Sequence, residues 1–162
     1  MPDYPRHLSG FDYVGFHRYF LTFCTFERNG YFRDASSVGL VAEQFLRASG
    51  EQSMAITTYC FMPDHVHLLV QGIREDADLK SFVSRAKQYS GFYFKRQTGH
   101  TLWQRYGVEH VLRHDRDTAA VAKYIINNPL RAGLAKDVWS YPFWGSSVYT
   151  REALIDFIWT AG

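Results

Sequence analysis

At 162 residues the chain is sized for one domain with a sizeable core. Hydrophobic residues make up 46% and charged residues 21%, which excludes a disordered or fibrous chain, and no apolar run approaches the ~18–20 residues that span a bilayer. A formal net charge of +2 does not mark a nucleic-acid binder, so any basic surface has to be local. No cationic start followed by an apolar stretch opens the chain, so no signal peptide is expected. The two cysteines, Cys24 and Cys60, make no disulfide framework and are expected as buried free thiols of a cytoplasmic protein.

Residues 1–17, with Pro2, Pro5, Gly10 and Gly15, read as an irregular arm carrying Arg6 and His7. Residues 18–26 are aromatic and β-branched and predict a first strand, followed by a turn at Asn29-Gly30. Ser36 or Ser37 can cap a helix whose apolar residues Val38, Val41, Ala42, Phe45 and Leu46 recur at helical spacing, with Gly50 as its end. Residues 53–62 and 65–71 predict two antiparallel strands joined at Pro63-Asp64. A second helix is expected from 79 to about 96, with Phe82, Val83, Ala86, Tyr89, Phe92 and Tyr93 as its buried stripe. Residues 102–113 read as a strand or hairpin interrupted near Gly107. Asp115 or Asp117 can cap a third helix, from 118 to about 127, that Pro129 breaks or redirects. Residues 152–159 predict a last short helix.

The order β-α-β-β-α-β followed by helix is the split βαβ, ferredoxin-like pattern: an α+β sandwich in which two helices cover one face of an antiparallel sheet. The domain would run over 18–136, with 137–162 packing on it as a C-terminal tail. The third strand, near the middle of the sheet, carries His65-Val66-His67. Side chains at i and i+2 share a face, so the two imidazoles stand together while Val66, Leu68 and Val70 point to the opposite side. Such a pair is half of a metal site. Tyr124 and Asn128, four apart on the third helix, share a face too and would present a phenol and a carboxamide together. Taken singly, each has an ordinary reading: a packing tyrosine, and an asparagine that stops a helix before Pro129. Together with the histidines they suggest a divalent cation, Mg²⁺ or Mn²⁺, acting on a phosphodiester beside a tyrosine nucleophile.

The stretch 62–69, Met-Pro-Asp-His-Val-His-Leu-Leu, resembles the histidine–hydrophobic–histidine motif of single-tyrosine transposases, the HUH enzymes of the insertion-sequence type. Trp103-Gln104-Arg105, the run from Tyr124 to Leu134, and Tyr141-Pro142-Phe143 with Ser146-Ser147 resemble the subgroup associated with repetitive extragenic palindromes (REP). That resemblance covers most of the chain, from about Arg18 to Ser147. It implies the HUH nuclease fold, with an added helix carrying the tyrosine. It further implies His65 and His67 as metal ligands, Asn128 as the third, and Tyr124 as the nucleophile that forms a 5′-phosphotyrosine link and later rejoins strands. Asp64 stands where relatives often carry Asn, a change expected to be tolerated at a turn position off the histidine face.

The implied partner is single-stranded or hairpin DNA. Candidate phosphate contacts are Arg6, Arg85, Lys87, Lys95, Arg96, Arg105 and Arg131, with Lys80, Arg113 and Arg116 as further ones. Monomer and homodimer both remain open, with the preference given to monomer. The competing reading is a non-catalytic hairpin-binding protein or repressor that keeps the fold. A ferredoxin-like RNA-binding module ranks lower, because the strands lack a basic-Gly-aromatic stacking signature.

Overall fold

The computed structural model describes residues 12–112 and 115–160, and within these the side chains of all but 108–110, 115 and 116. Five strands form one antiparallel sheet: β1 (Arg18–Cys24), β2 (Met54–Met62), β3 (His65–Gly72), β4 (Val108–Leu112) and the short β5 (Trp144–Gly145), in the order β4-β1-β3-β2-β5. Among the described residues four α-helices complete the fold: α1 (Ala35–Glu51), α2 (Leu79–Thr98), α3 (Asp115–Arg131) and α4 (Arg151–Thr160). This is the expected ferredoxin-like arrangement, with β3 in the centre. None of the described helices is long and apolar enough to cross a membrane.

Alternation along the strands makes two cores. Tyr19, Leu21 and Phe23 of β1 and Val66, Leu68 and Val70 of β3 face one way and pack with Val41 and Phe45 of α1 and Phe82 and Phe94 of α2. Phe20, Leu69, Cys60 and Met62 face the other way and pack with Ala122, Ile125 and Ile126 of α3 and Leu154 and Ile158 of α4. Both faces of the sheet are therefore covered, and the fully buried large side chains are mostly aromatic, including Tyr19, Phe20, Phe23, Phe45, Phe61 and Trp144. The high aromatic content is spent largely on these cores.

Several boundaries differ from expectation for local reasons. β1 ends at Cys24 because Glu27 and Arg28, with φ of 53° and 55°, turn the chain away. Asp34, not a serine, caps α1 by accepting from the Ser36 amide, and the helix runs through Gly50 to Glu51. Residues 102–107 lie outside the sheet except for a bridge between Thr25 and Trp103, and only 108–112 pair with β1. α3 continues through Pro129 to Arg131. Because that proline lies in the last turn, it removes one backbone donor where the ladder is already ending, and Gly133, at φ 73°, stops the helix.

The α2 stripe is also displaced. Leu79, Phe82, Ala86, Ser90 and Phe94 are buried, whereas Phe92 and Tyr93 are exposed. Ser90 is accommodated in the core because its hydroxyl donates to the Ala86 carbonyl and accepts from the Trp103 indole. The thiols are free as expected, with Cys60 buried but Cys24 only half-buried.

The C-terminal segment belongs to the same sheet. β5 pairs with β2, the Ser147 amide donates to the Ile56 carbonyl at 2.8 Å, and the Tyr141 hydroxyl donates to the Phe61 carbonyl. At the other end of the sheet, the chain before β1 crosses Gly72 so closely that a Cβ there would lie 1.9 Å from the Gly15 carbonyl oxygen. Both partners in that clash are backbone, so neither can swing aside. Gly72→Ala should lower stability by about 1–3 kcal/mol, seen as a reduced midpoint in urea denaturation with an unchanged slope.

Candidate nucleic-acid cleavage site

The site begins with strand register. β3 places His65 and His67 on the face covered by α3, with their ring centroids 4.8 Å apart. His67 pairs with Thr22 across β1 and with Cys60 across β2, so it sits in the middle of the sheet with only 6% of its surface exposed. Phe20, two residues before Thr22 on the same face, packs its ring 5.3 Å from that of His67.

α3 brings the phenol to this surface. Its apolar residues Ala122, Ile125 and Ile126 bury against the sheet, and this fixes the rotation of the helix. Tyr124 then lies with its ring centroid 6.0 Å from that of His67 and 6.1 Å from that of Phe20. Thr118, near the start of α3, lines a cavity with Leu69 and Gln71, whereas Tyr124 meets His67. The helix therefore runs antiparallel to β3, and the same direction carries half-buried Asn128, one turn further on, toward the His65 end.

Each histidine has its Nδ1 engaged. Thr22 Oγ1 lies 2.8 Å from Nδ1 of His67, and Asp64 Oδ1 lies 2.7 Å from Nδ1 of His65. Arg28 holds the other oxygen of Asp64 at 3.0 Å. Burial pushes the Asp64 carboxyl up, but the hydrogen bonds from Arg28 and His65 outweigh it and hold the group below its usual range. An ionised carboxylate only accepts, so His65 Nδ1 carries the proton and Nε2 is left as the open nitrogen. Asp64 is therefore more than a turn residue off the histidine face: its carboxylate orients His65. Thr22 does the same for His67 in the tautomer with Nδ1 protonated.

Burial first, then the neighbouring His65 and Arg131, push the His67 imidazole down to about 3, so it is neutral near pH 7. Neutral imidazole is the form that binds a metal. Among the described residues no three of His, Cys, Asp and Glu cluster in a way that could hold an ion. A carboxamide oxygen such as that of Asn128 is a donor that would fit beside two imidazoles. A set of two imidazole nitrogens and one amide oxygen would suit Mn²⁺ or Mg²⁺ better than a closed zinc site.

Among the described basic candidates, Arg131 is the one the fold brings to this centre. Its guanidinium lies 4.0 Å from the Tyr124 ring centroid and donates to the Tyr124 carbonyl. Arg85, Lys87, Lys95 and Arg96 are on α2, whose core lies beyond the opposite face of the sheet. Lys87 rests its Nζ 4.8 Å from the Phe23 ring centroid, and Lys80 rests its own 5.1 Å from that of Tyr13. Arg105 is exposed beside Tyr106. Arg6, His7 and Arg113 lie outside the described residues, as does the side chain of Arg116. Sequence reasoning missed Thr22 and Arg28 because their roles depend on contacts 45 and 36 residues away.

Residues 14–128 match the family model described as IS200-like transposase. A curated protein of Haemophilus influenzae, described as a REP-associated tyrosine transposase, is 35% identical over 95 residues, which are 52% of this chain and 54% of that protein. The match thus spans about half the length of that curated relative. Among solved structures, a REP-associated tyrosine transposase bound to a REP hairpin superposes with a TM-score of 0.71 at 22% identity, over 89% of this chain and 82% of the other. A transposase-like structure from Deinococcus radiodurans superposes with a TM-score of 0.53 at 22% identity, over 75% and 97%. At that identity, the two structures establish the fold.

The His67 environment has a consequence for stability. Its folded pKa lies below the unfolded value of about 6.5, so between the two the unfolded chain binds the extra proton. Stability contributed by neutral His67 is full above about pH 6.5 and is lost as pH falls toward 3. In chelator, the melting temperature should drop on acidification from pH 7 to 4, and His67→Gln should flatten that dependence. An equal slope in the variant would contradict the burial of a neutral imidazole.

Proposed function

Because the chain belongs to the IS200-like transposase family, we propose that it cleaves and rejoins single-stranded DNA at hairpin sites through a 5′-phosphotyrosine at Tyr124. The observation that carries this reading is the meeting, within one chain, of the Tyr124 ring with His67, which itself stands beside His65 on β3. The substrate class is taken from the REP hairpin held by the structural neighbour.

In the cleavage step Tyr124 Oη attacks the phosphorus of a phosphodiester. The Oη–P bond forms, the P–O3′ bond breaks, and the departing oxygen takes up a proton to leave as a 3′-hydroxyl. Attack by another 3′-hydroxyl reverses the step, returns the phenol and joins the strands without ATP. His65 and His67 offer Nε2, and Asn128 its amide oxygen, to a divalent cation. When bound, such an ion polarises the phosphodiester and stabilises the charge that develops on it.

The remaining residues position these groups. Thr22 and Asp64 orient the two imidazoles, and Arg28 holds Asp64 in turn. Phe20 packs against both the His67 and Tyr124 rings, and Arg131 covers the Tyr124 ring with a guanidinium. That places a positive charge where the phosphate must approach. Arg85, Lys95, Arg96 and Arg105, all exposed, serve phosphates away from the scissile one. On this reading Tyr124 acts beside the histidines of its own chain, and a monomer suffices.

Incubation with REP-type hairpin DNA and Mn²⁺, followed by denaturing electrophoresis, should give a covalent protein–DNA adduct that Tyr124→Phe abolishes. An undiminished adduct in Tyr124→Phe would remove the nucleophile assignment. Hairpin binding without any adduct, under Mg²⁺ or Mn²⁺, would favour a non-catalytic binding protein instead.

A further inference from the structure

A cavity of about 250 Å³ opens on the histidine face of the sheet, beyond Leu69 and between α3 and α4. Two of its lining residues are threonines whose hydroxyls have no hydrogen-bond partner among the described residues: Thr58, fully buried, and Thr118, with 8% of its surface exposed. Buried hydroxyls in native proteins are nearly always satisfied, so two orphans lining one cavity call for a ligand with polar edges. The rest of the wall is apolar or aromatic, with Leu69 and Phe157, and Tyr149 lies nearly parallel to Phe157 at 11° and half-exposed. Arg18 adds a cationic side chain to the lining.

We propose that this cavity holds one unpaired base of the single-stranded DNA on which the protein acts, an inference that rests on the function proposed above. Each hydroxyl can both donate and accept, and so can pair with the polar edge of a base. Tyr149 offers a ring on which the base stacks. The volume falls below the about 300–1,000 Å³ of pockets that enclose a whole drug-sized ligand, which suits a single base. Placement supports the same occupant. Leu69 lies two residues beyond His67 on the same strand face, about 7 Å away, and Thr118 lies six residues before Tyr124, about 9 Å along the helix. A strand with its scissile phosphate at Tyr124 therefore passes the cavity within a few nucleotides. The register shift in β2 between Ile56 and Thr58 falls at this wall and sets the position of Thr58.

The test uses the full chain carrying Tyr124→Phe, which cannot be trapped covalently, and fluorescein-labelled single-stranded homopolymers of dA, dC, dG and dT. Thr58→Val with Thr118→Val keeps side-chain shape and removes only the orphan hydroxyls. The melting temperature should hold or rise, while affinity for the best-bound homopolymer falls about tenfold. Tyr149→Ala, a change at the exposed rim, provides a second variant that leaves the core intact and should weaken binding about fivefold or more. Unchanged affinity in both variants would overturn the proposal while leaving the tyrosine chemistry untouched. Failure of the Tyr124→Phe parent to bind any of the homopolymers would overturn the proposal, while the adduct assay with hairpin DNA decides the tyrosine chemistry separately. Free deoxynucleoside 5′-monophosphates, followed by NMR at the Thr58 and Thr118 amides, should perturb these signals more weakly than the homopolymers do. Tighter binding of the monophosphates would reassign the cavity to a free nucleotide.

Discussion

The site depends on β3 being a central strand with both faces covered. Alternation along 65–70 sends Val66, Leu68 and Val70 into one core and turns His65, His67 and Leu69 toward the other. A slip of one residue would exchange the two sets and bury both imidazoles among the aromatics beneath α1 and α2. Pairing on both sides resists that slip, since β1 and β2 each hold β3 along nearly its whole length. The rigidity that the proposed cleavage centre needs is thus a by-product of the hydrophobic alternation that makes the fold.

Helix α3 is tied to the same constraint. Ala122, Ile125 and Ile126 bury against the β1–β3–β2 surface, so Tyr124 has little rotational freedom around the helix axis. Phe20 touches the rings of both His67 and Tyr124, which couples the position of the phenol to that of the imidazole by packing alone. The continuation of the helix past Pro129 matters for charge. It brings Arg131 back over the Tyr124 ring, and a chain broken at 127 would have no reason to place it there. The C-terminal segment closes this layer, with Trp144, Leu154 and Ile158 in the core under α3.

Much of this was legible in the sequence, and the exceptions have physical causes. The His-Val-His alternation, the Tyr124–Asn128 spacing and the β-α-β-β-α-β order are local patterns of period two and 3.6, and the structure contains them. The α2 stripe was misjudged because Phe92 and Tyr93 look like core residues while Ser90 does not, although 79, 82, 86, 90 and 94 are the positions at helical spacing. Thr22, Arg28 and the orienting part of Asp64 were not legible, since each acts across a strand register that local patterns leave undetermined. Most basic residues on α2 looked equivalent to Arg131 in the sequence, and only packing separates them by face.

The central claim is that one chain carries a complete centre, with Tyr124 beside its own histidines. The direct measurement is complementation: His67→Gln and Tyr124→Phe proteins are mixed, and cleavage of a hairpin substrate is followed under Mn²⁺. A centre complete within each chain predicts that the mixture is as inactive as either variant alone. Recovery of cleavage in the mixture would show that tyrosine and histidines come from different chains, and would contradict the account.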